Sequence, residues 1–400
     1  MNQLDKSNFQ LSCQNVCQPG YGIVSRSKSF GFKAAFIVFG LASAGFPAGA
    51  SATTYNLTVL GLPDGASSGA VGVNDAGQVA GGGSGQAVIW NGTVPTVLGS
   101  LEGGYNIASA INNPGQVVGT SVALVTPMGL STQAVVWNGT TPTVLGSLGG
   151  GFNVANAINN AGQIVGASST AASSGSSQAV IWNGTTPTVL NSLGGTINIA
   201  RGINNAGQVA GFSMTAADAS KQAVVWNGTS PTVLGSLGGT QSDAFGINNA
   251  GQVVGYSSAP GNTSQQAVIW NGTTPTVLES FGGAYSAANA INDAGQVVGF
   301  SRTTTDEARG VIWNGTTAID VNTLLASDPS GFVVAALLGI NSSGQIVGWG
   351  TDSNGVQEAI LLTPVATTPL PAALPLFASG LGALGLVGWR RRKAQAAITV

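Results

Sequence analysis

The chain has 400 residues, of which 43% are apolar, 6% are charged and 61 are glycine. So few charges exclude a solvated, disordered polyelectrolyte, and abundant Gly, Thr, Val, Asn and Ser favour strands and tight turns over helices. There is no histidine and there are only two cysteines, so a Ser-His-Asp triad cannot be assembled.

At the start, Lys28 and Lys33 precede the apolar run "AAFIVFGLASAG" from Ala34, and small residues follow in "FPAGASA". This order of basic, apolar and small segments predicts a secretory signal with an extended leader over 1–52, cut after Ala50 or Ala52. Cys13 and Cys17 lie upstream of that cut. The mature chain is therefore expected to carry no disulfide and no Cys-based metal site.

From residue 53 onward one nine-residue phrase returns: "VNDAGQVAG" from Val73, "INNAGQVVG" from Ile247, and five further variants. Marked by their glutamines, the copies stand at Gln78, Gln116, Gln163, Gln208, Gln252, Gln296 and Gln345, so the unit is about 44 residues long. A full unit, from Ser242, reads "SDAFGINNAGQVVGYSSAPGNTSQQAVIWNGTTPTVLESFGG". Four short strands are predicted in it, "DAFGIN", "QVVGYS", "QAVIW" and "TPTVL", separated by "NAG", a variable Ser/Thr/Gly loop, "NGT" and "GG". Asn bonding to its own backbone and Gly accepting positive φ explain "INNAGQ" as a hairpin turn. A calcium loop would want alternating carboxylates, and Asp75 and Asp293 are the only acids in these turns. The six "NGT" segments also match a glycosylation sequon, but a tight turn accounts for them.

"AVIW" and "QVVG" are apolar on both faces and must be covered on both sides. Four-stranded units of this length, packed face to face, predict an all-β fold: a seven-bladed β-propeller over residues 53–364, with a β-solenoid as the alternative. The ends favour the ring. "TYNLTVLG" from Thr54 matches the fourth strand of a unit, and the last unit lacks one. Residues Tyr55 to Leu60 are therefore expected to complete the last blade. Trp90, Trp137, Trp182, Trp226, Trp270 and Trp313 each end a third strand, with Leu362 in the seventh place. Identical placement in every unit suits packing between blades better than sugar stacking. The Gly after each "VV" or "VA", such as Gly119 and Gly255, is expected where backbones approach closely.

Between Thr53 and Pro364, thirteen acidic residues stand against Arg201, Lys221, Arg302 and Arg309, a formal net charge of −9. This disfavours nucleic acid or anionic lipid as partner. No cofactor or metal is expected. The variable loops between second and third strands share one end of the ring with the connections between blades. That end is the expected ligand face, with candidates Asp218, Lys221, Asp243, Arg302, Asp306, Glu307 and Arg309. Two functions follow: a non-enzymatic surface or matrix module binding polysaccharide or protein, or a carbohydrate-active enzyme using the loop carboxylates Asp218, Asp243, Asp306 and Glu307. With few acids and no repeated pair among them, no catalytic residue is assigned and the first is preferred.

After a linker over 365–371, residues 372–389 are uncharged and mostly apolar, long enough as a helix to span a bilayer core. Arg390, Arg391, Arg392 and Lys393 follow and place the 390–400 tail in the cytoplasm. This tail resembles the PEP-CTERM class of bacterial sorting signals in its Val-Pro-Leu-Pro-Ala variant. Pro369, Leu370, Pro371 and Ala372 match, while Thr368 replaces the valine. The resemblance implies an exosortase-type membrane protease as partner, a transient membrane anchor, and delivery to the cell surface or matrix. The repeat resembles the HAF family of bacterial extracellular repeats in its "INNAGQVVG" phrase, its Trp-bearing strand and endings such as "VLGSLGGG" from Val144. The His-Ala-Phe of that family's name is written here as "QAV". The likeness implies an exported repeat protein and supplies no catalytic residues.

Overall fold

The computed structural model describes residues 53–365, apart from 63, 102–103, 126–128, 171–174 and 328–330, with the side chains of 123–130 also left aside. The expected leader, the sorting motif from Pro369, the 372–389 span and the basic run lie outside the described residues. Among the described residues, no helix is long and apolar enough to cross a membrane.

Seven antiparallel four-stranded blades follow one another at residues 69–97, 105–144, 149–189, 194–233, 242–277, 282–320 and 333–364, the last completed by Tyr55–Leu60. We number them 1 to 7. The terminal strand pairs antiparallel with Gln357–Pro364, from Tyr55 opposite Pro364 to Leu60 opposite Ala359. The spare strand at one end thus fills the vacancy at the other, as expected for a propeller. Tyr55 and Leu60 are buried, Tyr55 in the core between blades 6 and 7 and Leu60 in the core between blades 7 and 1. This places all seven blades in one closed ring.

The recurrent residues have recurrent duties. In the "INNAGQ" turn each glycine, such as Gly77 at φ 78° and Gly251 at φ 77°, takes the left-handed conformation that a three-residue hairpin needs. In the "NGT" turn the glycine leads a two-residue loop, with φ between 60° and 67° at its six occurrences. The third recurrent glycine serves packing. A Cβ at Gly255 would sit 2.0 Å from the Asp243 carbonyl oxygen, and one at Gly119 would sit 1.9 Å from that of Ile107. Only glycine lets the second strand lie this close to the first.

The tryptophans seal one blade against the one before it. All six are at most 2% exposed. The Nε1 of Trp137 donates to the Gly99 carbonyl at 2.8 Å, while the Gly99 amide donates to Thr140 O in the "NGT" turn. Trp182, Trp226, Trp270 and Trp313 repeat the first of these bonds at Gly146, Asn191, Gly235 and Glu279. Leu362 holds the seventh place, fully buried opposite Ile346. A buried indole with its donor satisfied is a packing device, which matches the expectation for these residues.

Candidate functional site

Strand direction gives the ring two ends. One carries the "INNAGQ" and "NGT" turns. The other carries the variable loops and the connections between blades.

The turn end is locked by side-chain amides. Asn74, Asn112, Asn159, Asn204, Asn248, Asn292 and Asn341 are buried, and the Nδ2 of each donates to the main-chain carbonyl of the next, with Asn341 returning to Asn74. The sequence explained these asparagines as local turn formers. They are that, since Asn204 Oδ1 accepts the amides of Ala206 and Gln208, but each also clamps its blade to the neighbour some 44 residues away. A second, exposed run of bonds lies beside the first, from Ser342 through Asp75 to Asp293. There the amides of Asp75, Asn113, Asn160, Asn205 and Asn249 donate to the side chain one blade ahead, and Ser342 donates to Asp75. Asp75 and Asp293 are acceptors in this run. Burial opposes ionisation of Asp75, but hydrogen bonds from the Ser342 hydroxyl and amide and from Asn113 outweigh it and hold the carboxyl below its usual range.

At the opposite end the repeat loosens. The exposed aromatic residues among the described ones are Tyr105 and Phe152, 44% and 42% exposed, and both stand at the loop end of a first strand. Ile197, also exposed, and half-buried Tyr285 occupy the corresponding places in blades 4 and 6.

The sequence-predicted ligand residues divide into three groups. Asp218 caps a loop: its carboxylate accepts from the amide and hydroxyl of Thr196, which lower its pKa. Arg302 pairs with Asp306 at 2.8 Å and Arg309 with Glu307 at 2.7 Å, the acids in the loop of blade 6 and the arginines in the strands Val297–Thr303 and Ala308–Asn314 that flank it, with Asp320 3.8 Å from Arg309. Asp243 departs from expectation. It was grouped with the loop carboxylates although it heads the predicted strand "DAFGIN"; it lies inside the strand Ser242–Ile247 and is fully buried. The strand begins earlier because its backbone pairs with Ser257 and Tyr256.

What makes that burial tolerable is a pair of cations. Arg201 Nε lies 3.0 Å from both carboxylate oxygens, and Lys221 Nζ lies 2.7 Å from Oδ2. Lys221 also donates to the Tyr256 hydroxyl at 3.1 Å. Aromatic faces surround the cations: Lys221 is 4.2 Å from the centre of Phe212, and Arg201 is 5.2 Å from that of Phe245. Lys221 and Asp243, both among the sequence candidates, thus meet in one cluster, while Arg201 was not among them. It sits at a β-bulge between Ala200 and Gly202. Each blade has a bulge at this place, and the extra residues are Val71, Ser109, Asn156, Arg201, Phe245, Asn289 and Leu338. In aligned repeats this column has no consensus, a signal that could have singled out Arg201.

No family model matches the chain, and no curated protein matches it. Among solved structures, TolB from Acinetobacter baumannii is similar at 14% identity and a TM-score of 0.38, over 63% of this chain and 64% of its own. The β-propeller domain of the Trilobed protease from Pyrococcus furiosus, described as having an open velcro topology, is similar at 9% identity and a TM-score of 0.45, over 80% of this chain and 100% of its own. The propeller assignment rests on the strand pairing and the closed amide ring described above.

Proposed function

We propose that this protein is an exported, non-enzymatic propeller that binds an extracellular polysaccharide or surface protein through its loop end. The observation that carries the reading is the contrast between the ends. The turn end spends its amides on itself, whereas the loop end varies from blade to blade and presents aromatic and charged side chains. The candidate carboxylates Asp218, Asp243, Asp306 and Glu307 are each engaged by a cation or a local donor, which supports binding over acid–base catalysis. Export and surface delivery through an exosortase-type protease rest on the leader and the tail. Intact-mass measurement on surface-released protein tests that part, and an extracellular chain retaining Arg390 to Lys393 would overturn it.

Binding is tested by retention of the protein on the host's own exopolysaccharide and surface fraction. Replacing Tyr105 and Phe152 together by Ala, or reversing the charge at Arg302 and Arg309, should weaken retention. Asn138→Asp, at the turn end, should not. The opposite ranking defeats the assignment, and release of sugar from that polysaccharide by the intact protein would favour the enzyme.

A further inference from the structure

The seven bulge residues stand on the innermost strands, where they meet the next blade near the axis. Asn156 and Asn289 donate to main-chain carbonyls there, at Ala200 and Leu337. Arg201 alone among them brings a charge. Asp243, its partner, occupies the register place held by Ile107, Val154, Ile199, Ala287 and Ala336 in other blades. Those interfaces close with apolar residues at that place, so holding blade 4 to blade 5 does not require an ion cluster. A buried ion pair is in any case weak support for stability compared with apolar packing.

The cluster is also unbalanced. Two formal positive charges face one negative charge, so a surplus remains after Asp243 is satisfied. Asp243 engages Arg201 through Nε only. Nη1 and Nη2 have no hydrogen-bond partner among the described residues, and the Arg201 side chain is 29% exposed. A guanidinium oriented through Nε, with its outer fork unspent, is prepared for a planar, bidentate anion. Lys221, 20% exposed, stands on the same carboxylate. Phe245, half-buried, stacks near Arg201 and against Tyr256, with ring centres 5.7 Å apart, and supplies a flat apolar face.

Resting on the loop-end reading above, we propose that Arg201 and Lys221, oriented by Asp243, form a subsite for one carboxylate of an acidic sugar, whose pyranose ring lies against Phe245. The formal charge of −9 over residues 53–364 argues against a densely charged polyanion. A sparsely carboxylated glycan, read one acid at a time, fits both the local surplus and the global deficit.

The test is calorimetric titration of the full chain with trigalacturonate and with the neutral galactotriose. The acidic trisaccharide should bind at least about tenfold more tightly, the scale of one charge-assisted pair, and raised salt should reduce the difference. Arg201→Gln and Lys221→Met should each abolish the preference. Either change leaves Asp243 paired with the remaining cation, so the chain should still fold and melt cooperatively, at a lowered temperature, and Arg201→Lys should recover part of the preference. Equal binding of the two sugars, or a preference that survives both substitutions, overturns the subsite. Tighter binding of tetraglutamate than of trigalacturonate does so too. In those cases the loop-end reading still stands if Tyr105→Ala with Phe152→Ala weakens retention on exopolysaccharide. If that pair has no effect while the Arg201 preference holds, the subsite stands and the wider loop-end reading fails.

Discussion

The two ends of the ring are built from the same seven units yet use their polar atoms in opposite ways. At the turn end a buried asparagine in every blade makes the same bond to its neighbour, from Asn74 around to Asn341. At the loop end the corresponding stations differ: Tyr105, Phe152 and Ile197 are exposed, and one interface alone holds Arg201, Lys221 and Asp243. A contact that must be made seven times tolerates one solution, because a ring closes only if every step turns by a similar angle. A contact made once is free to vary. The division therefore separates what closes the ring from what distinguishes this propeller from any other.

The most severe way to break the turn-end scaffold is to open it. Deleting residues 54–61 removes buried Tyr55 and Leu60 and leaves blade 7 with three strands and an unpaired edge. Calorimetry should show the whole transition weakened by at least about 5 kcal/mol, since each large buried side chain alone is worth several. Melting like the intact chain would refute ring closure. Next in size is Gly255→Ala, whose new methyl meets the Asp243 carbonyl at 2.0 Å. A loss of about 3 kcal/mol or more is expected from overpacking against backbone. Gly61→Ala, with nothing within 4 Å of its Cβ, should stay within about 0.5 kcal/mol of the parent when the two variants are compared by urea titration.

Smaller effects sharpen the comparison within the turn end. Asn204→Ala removes two donations to Gln208 Oε1 and Asn248 O, and the acceptor for the Ala206 and Gln208 amides. Chemical denaturation should report roughly 2–3 kcal/mol, because buried groups lose their partners. In the exposed run, Asp75→Asn should cost under about 1 kcal/mol, because solvent screens the contact. Its pH dependence is more diagnostic. The folded pKa of Asp75 is lowered, so its contribution is present above the unfolded value near about 3.9 and is lost as pH falls through the folded one. The gap in melting temperature between parent and variant should therefore be open at pH 6 and close on acidification below about pH 4. Least of all, Asn138→Asp keeps an oxygen for Gln116 Nε2 at an exposed turn and should alter stability by less than about 0.5 kcal/mol.

Much of the ring was legible because its rules are local. "NAG" and "NGT" place glycine where the turn needs positive φ, and the two strands between them carry stretches apolar on both faces because blades cover them twice. Even the closure was legible, since one strand was spare and one was missing. The site was legible only in part. Lys221, Asp243, Arg302 and Arg309 stood out as rare charges, but their pairings depend on which loops and blades adjoin. Arg201 escaped because a bulge, invisible in a strand pattern read with period two, shifts it from the place its neighbours predict.

Sequence alone determined the repeat, its turns, the number of blades and the strand that completes the last one, for these follow from spacing and backbone chemistry within some 44 residues. Tertiary structure decided what the first asparagine of each turn binds, why the glycine of "QVVG" cannot carry a side chain, and that Asp243 is buried between two cations. The asparagine bonds and the ion cluster depend on atoms brought together from different blades, and the glycine on the close approach of two strands within one blade, distances that only the folded ring sets.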